Sequence, residues 1–263
     1  MLNHALNKIK KSKLKLEPFP YFVVKNLIPP KELKKLNKIL PSFKDINEND
    51  IYYQSESKTK KTLLPSSSRY KKLTKNKSFK KINSLFKYLK PAVVKKFNNP
   101  IEKYVTKRFQ NSNLTFHSTY SVMKNGYIKS PHLDRRDHLV HVLFYPLSEE
   151  SKGGKIKIMK LKKYNKNGSF DIFPAHENLK SFKSYKVNNN FCLFTLNVPW
   201  SYHAVTKYNG HSDRKYFYFV YDFPTKSKGS KLKNRKKGNN QNEFWKSKVS
   251  VISPSRKNKF FSE

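Results

Sequence analysis

At 263 residues, with 36% hydrophobic residues, 20 Phe and 16 Tyr, the chain is long enough for one sizeable core and too aromatic for a wholly disordered protein. A single cysteine, Cys192, excludes an internal disulfide and any multi-cysteine zinc site, and no run of about 18 apolar residues offers a membrane span. No apolar stretch followed by small residues opens the chain as a secretory signal would, so a cytoplasmic protein is expected.

The net charge of +40 has two readings. One is a polyanion partner, nucleic acid above all, which such a charge allows without requiring. The other is coding bias. Seven of the 57 basic residues are arginine, leaving 50 lysines, and Lys, Asn, Ile and Phe share AT-rich codons. A phosphate reader would favour arginine's two-pronged guanidinium, and these lysines are spread along the whole chain.

In chain order, residues 1–16 carry two lysine-rich clusters and are expected to be a mobile basic leader. Residues 17–112 read as an N-terminal strand with a helical flank. "YFVV" has strand content, "IPP" breaks it, and Pro30 can open a helix on which Leu33, Leu36, Ile39 and Leu40 fall at helical spacing. Residues 41–77 look polar and irregular. Residues 78–109 are helical in pattern, with Ile82, Leu85, Phe86 and Leu89 on one face before Pro91. From 113 to 224 the rhythm changes to short β-type runs: "LTFHSTYSVM", "HLVHVLFYPL", "GKIKIMKL", "SYKV", "NFCLFTLN" and "RKYFYFVYDF". They predict an all-β sandwich or barrel-like core. Residues 225–263 predict a basic, largely disordered tail.

The stretch "SPHLDRRDHLVHVLFYPL" poses the chemical question. Residues two apart on a strand share a face, so His132 and Asp134 offer an imidazole and a carboxylate to one ion. A third ligand must come from elsewhere in the chain, and His203 in "NVPWSYHAV" is the candidate. Two histidines and a carboxylate on one face form the facial triad of non-haem Fe(II) oxygenases. Eleven residues after His203 comes Arg214, a fork suited to a carboxylate. Of the remaining histidines, His141 shares strand parity with Leu139, Leu143 and Tyr145. It reads either as a pocket residue or as a packed, hydrogen-bonded one. His117, His176 and His211 show no partner pattern, and Gly153 and Gly154 read as a turn between strands.

Taken together, "PFPYFVVKNLIPPKELKKL", "NGYIKSPHLD", "HVLFYPLSEESKGGKIKI", "NNFCLFTLNVPWSYHAV" and "RKYFYFVYDF" resemble the prolyl 4-hydroxylase-like group of 2-oxoglutarate/Fe(II)-dependent dioxygenases over about residues 17–224. The resemblance implies a mainly β fold, a double-stranded β-helix (jelly-roll) core with N-terminal α-helices. It implies Fe(II) on His132, Asp134 and His203, which would be the catalytic centre, with 2-oxoglutarate held by Arg214 and Tyr145. O2 and an unidentified substrate would be the other reactants, with ascorbate as an optional reductant and hydroxylation of a C–H as the outcome. Two features depart from the pattern or leave it open. Met123 stands near where relatives often have a tyrosine, and Tyr120 is its candidate replacement. Lys215 adjoins Arg214, and strand alternation lets only one of the two point inward. Repair demethylases of alkylated bases share the iron triad and resemble one another in a second arginine six residues after the first; this chain has Val220 there, which argues against nucleobase repair. Two rivals stand beside the oxygenase: a basic nucleic-acid- or polyanion-binding protein with an idle β-helix core, and a non-catalytic metal-binding barrel.

Overall fold

A computed structural model describes residues 1–52, 58–105, 114–135, 138–148, 153–162 and 173–223. The tail expected over 225–263 lies outside the described residues.

The leader corrects one expectation. Residues 1–16 are not loose: helix α1 (Leu2–Lys11) packs on the later helix α4 (Lys77–Lys96). The apolar residues Met1, Ala5, Leu6 and Ile9 recur at helical spacing beneath the lysine clusters, and Ala5 and Ile9 are buried. Lys8, Lys10 and Lys11 fall in the last turn, where the helix dipole favours positive charge.

Strand β1 (Tyr21–Lys25) leads into α2 (Pro30–Ile39), which Pro30 opens as its spacing predicted. The stretch 41–77 is more ordered than its polarity implied. It holds a short 3-10 turn (Glu48–Asp50), strand β2 (Lys60–Thr62) and helix α3 (Ser68–Lys75). Ser67 Oγ accepts a hydrogen bond from the Tyr70 N–H, so the serine run that reads as loop contains a helix cap. The helical pattern over 78–109 divides into α4, which runs through Pro91, and α5 (Asn98–Tyr104).

Eight further strands follow: β3 (Thr115–Met123), β4 (Lys129–His132), β5 (His138–Leu147), β6 (Ile156–Leu161), β7 (Leu179–Tyr185), β8 (Phe191–Leu196), β9 (His203–Val205) and β10 (Arg214–Asp222). They form two antiparallel sheets, one in the order β1-β8-β5-β10-β3-β2 and the other in the order β4-β9-β6-β7. This is a mainly β fold with flanking helices, built on a jelly-roll core. β7 covers little of the expected "SYKV". Its middle residues are exposed and it pairs only with β6, so no inward–outward alternation marks it.

The larger sheet is covered on both faces, which is why β5, β8 and β10 read as nearly continuous apolar runs. Towards the helices it turns Phe144, Phe217 and Phe219. Phe86 of α4 stacks on Phe219 at 3.9 Å between ring centroids and meets Phe144 at 5.4 Å. Towards the smaller sheet it turns His141, Tyr145, Arg214, Tyr216 and Tyr218, because residues two apart on a strand share a face. Among the described residues, no helix is long and apolar enough to cross a membrane.

Candidate metal centre

Pairing of β4 with β9 sets His132 directly opposite His203, and their ring centroids lie 4.3 Å apart. Each ring is oriented by a backbone carbonyl two residues earlier. His132 Nδ1 lies 2.9 Å from the Ser130 oxygen, and His203 Nδ1 lies 3.1 Å from the Ser201 oxygen. A carbonyl oxygen can only accept, so each Nδ1 carries the proton and each Nε2 keeps its lone pair for a ligand. β4 ends at His132, and Asp134 stands just beyond it. Its Oδ1 is 3.9 Å from His132 Nε2 and its Oδ2 is 3.6 Å from His203 Nε2. One ligand atom from each of the three residues lies within 4.8 Å of the other two.

The electrostatics favour the ligating forms. Burial pushes His132 down to about 3, and repulsion from His203 adds to this against the pull of Asp134. Burial likewise lowers His203. Burial alone would raise the Asp134 carboxyl, but the imidazoles of His141, His203 and His132 outweigh it and hold the group well below the usual carboxylate range. Near neutral pH the set is therefore two neutral imidazoles and one carboxylate. Asp134 Oδ2 is buried without a hydrogen bond, which a divalent cation would remedy, and this N,N,O set suits Fe(II).

A second group of side chains lies on the same face of the larger sheet. Arg214 opens β10 opposite Met123 and is 1% exposed. Its Nε donates to Ser148 Oγ at 2.9 Å and its Nη1 to the Gly154 carbonyl at 2.5 Å. The guanidinium carbon lies 4.2 Å from the Tyr208 ring centroid and 5.9 Å from that of Tyr145. Tyr145 stacks on Tyr216 at 5.4 Å, and burial pushes its hydroxyl up. Lys215 takes the opposite face, where its ammonium donates to the Leu40 carbonyl at 2.6 Å, so Arg214 alone of the pair points between the sheets. Tyr120 also faces away, donating to the Pro41 carbonyl at 2.7 Å, and does not replace a tyrosine at Met123. Gly154 is more than a turn residue. Its φ is +60°, and a Cβ there would overlap the Arg214 guanidinium.

Sequence reading left His141 as either a pocket residue or a packed one, and it missed other residues at the site. His141 is packed, at 1% exposure, and packed against the candidate ligand: its Nδ1 lies 2.9 Å from Asp134 Oδ2. Burial, with the Asp134 charge beside it, pushes the Tyr218 hydroxyl up. Strand parity with Tyr145 had pointed to His141, and parity with Arg214 was the available signal for Tyr218. The Lys60 ammonium, 5.8 Å from the Tyr127 ring and 6.0 Å from the Tyr216 ring, comes from a strand of three residues that carried no signal. His117 does have a partner, since Asp222 lies 3.2 Å from its Nε2 while also meeting His138 Nδ1.

The two sheets and their helical flank have the fold of the prolyl 4-hydroxylase-like 2-oxoglutarate oxygenases. A prolyl-4-hydroxylase from Pseudomonas putida is similar at TM-score 0.50 and 11% identity, over 85% of this chain and 99% of that one. A prolyl 4-hydroxylase from Phytophthora capsici gives 0.48 at 15% identity, over 85% and 65%. The viral collagen prolyl hydroxylase of Paramecium Bursaria Chlorella virus-1, as its 2OG complex, gives 0.44 at 9%, over 78% and 96%. At 11% identity the first of these likenesses speaks for the fold alone. No family model and no curated protein matches the sequence.

Proposed function

We propose that the protein is a 2-oxoglutarate- and Fe(II)-dependent oxygenase that hydroxylates a substrate C–H. The observation that carries this reading is the convergence of His132, Asp134 and His203, with an unsatisfied carboxylate oxygen among them. Bound there, ferrous iron would supply the redox chemistry that couples O2 and 2-oxoglutarate to oxidation of the substrate, with release of succinate and CO2.

The protein's own residues do the rest. His132 and His203 present neutral Nε2 atoms because their Nδ1 protons are held by backbone carbonyls, so ligation needs no proton transfer at neutral pH. Asp134 supplies the negative charge. Arg214 and Tyr145 hold the distal carboxylate of 2-oxoglutarate, one by charge and the other by its hydroxyl. Burial strengthens both interactions, and it also favours the neutral hydroxyl as a donor. Tyr145 and Tyr208 flank the guanidinium, and Tyr216 stacks on Tyr145.

The test is an anaerobic ferrous ion titration followed by measurement of succinate formed from 2-oxoglutarate. Stoichiometric uptake with turnover supports the proposal. A folded protein that takes up no ion refutes it. The polyanion-binding alternative finds no support in the fold, and ascorbate finds none among the described residues.

A further inference from the structure

We propose that His141 is a positioning residue of this centre: it engages the Asp134 carboxylate and fixes how that carboxylate faces the ion. The inference rests on the reading that His132, Asp134 and His203 are the ligands.

The three ligands are not held alike. The two histidines are each fixed by a ladder strand and by a carbonyl on Nδ1. Asp134 lies past the end of β4, with no strand to aim it. His141 sits in the middle of the larger sheet, registered opposite Thr195 of β8 on one side and Val220 of β10 on the other. A rigid imidazole therefore faces the carboxylate that most needs orienting. Nδ1 of His141 is 2.9 Å from Asp134 Oδ2, closer than either candidate ligand nitrogen comes to that carboxylate. The contact is not an aligned hydrogen bond, and both atoms are buried with no other hydrogen-bond partner. An imidazole left unsatisfied in an apolar layer is costly, so a packing role alone is a poor account of a histidine here. The His141 ring also stands 5.2 Å from that of His203 and 6.1 Å from that of Tyr218.

The experiment uses Co(II) as the probe, titrated calorimetrically into chelator-treated full-length protein, with circular dichroism to confirm folding. His141→Leu removes the donor, and its Co(II) dissociation constant is expected to rise about tenfold or more. In His141→Asn the amide nitrogen replaces Nδ1, and affinity is expected to return close to that of the unsubstituted protein. A His141→Leu protein that binds Co(II) undiminished would overturn the inference, as would a His141→Asn protein that is as weak as His141→Leu. If His141→Leu does not fold, His141→Gln replaces it, because its amide nitrogen falls near Nε2 instead. Weak binding by Gln beside tight binding by Asn supports the inference, and equal binding refutes it. If the unsubstituted protein, folded, takes up no Co(II), the ligand set itself has failed and this inference goes with it.

Discussion

His132 and His203 are direct register partners across the β4–β9 ladder although 70 residues separate them in the chain. Each is therefore the other's geometric reference. Replacing either with alanine is expected to abolish ferrous ion uptake and 2-oxoglutarate turnover while leaving the far-ultraviolet circular dichroism unchanged. Both side chains lie on the inner side of the smaller sheet and neither props up the aromatic layer beneath α4. Retained succinate production in either variant would show that the ion is not held there.

The opposed faces of Arg214 and Lys215 separate two effects that the sequence left entangled. Arg214→Gln is expected to raise the 2-oxoglutarate requirement by about tenfold to a hundredfold, the loss of a charge-assisted contact, with ferrous ion affinity little changed. Lys215→Met removes the bond to Leu40 and the attraction to Asp213 and Asp45, and is expected to leave that requirement as it was. Steady-state titration of 2-oxoglutarate on both variants distinguishes them, and the reverse pattern would move the clamp to Lys215.

Gly154 offers an indirect probe of the same guanidinium. Alanine there must adopt a φ of +60° and displace Arg214. A destabilisation of about 1–3 kcal/mol is expected from the backbone strain. A raised 2-oxoglutarate requirement is expected with it, and urea denaturation and the cosubstrate titration read the two separately.

Phe86 tests the other side of the sheet. Its ring stacks on Phe219 and its carbonyl accepts from the Tyr221 hydroxyl at 2.7 Å. Phe86→Ala is expected to cost about 3–5 kcal/mol in chemical denaturation. At temperatures where the variant remains folded, ion affinity should be preserved, because no residue of the centre touches that layer.

The depressed value of His132 has a definite sign. An unfolded histidine titrates near 6.5, whereas burial, reinforced by repulsion from His203, brings the folded group down to about 3. Between these values the unfolded chain binds a proton that the folded chain refuses, so stability is lost as pH falls from about 6.5 toward 3 and is restored above it. Denaturation midpoints of chelator-treated protein across that range should fall with pH. The fall should be shallower in His132→Gln, and identical slopes would contradict the assigned cause.

Composition, spacing and parity by themselves determined a good deal. The strands with buried, aromatic-rich runs were legible because burial on both faces leaves a dense apolar signature, as in β5, β8 and β10. His132 and Asp134 stood out as a pair two residues apart, although Asp134 lies just past the end of β4 and not on the strand that the spacing assumed. Short or exposed elements were not. β2 and β9 have three residues each, too few for a period, and β7 shows no alternation. α1 was hidden because its lysines dominate the composition while its apolar stripe is narrow. Only the tertiary structure could show that His141 reaches Asp134, that Arg214 rather than Lys215 turns inward, and that Gly154 makes room for it. The physical reason is range. Periodicity and parity are properties of one strand, whereas these contacts are set by cross-strand register and by how two sheets face each other, which no local stretch of sequence encodes.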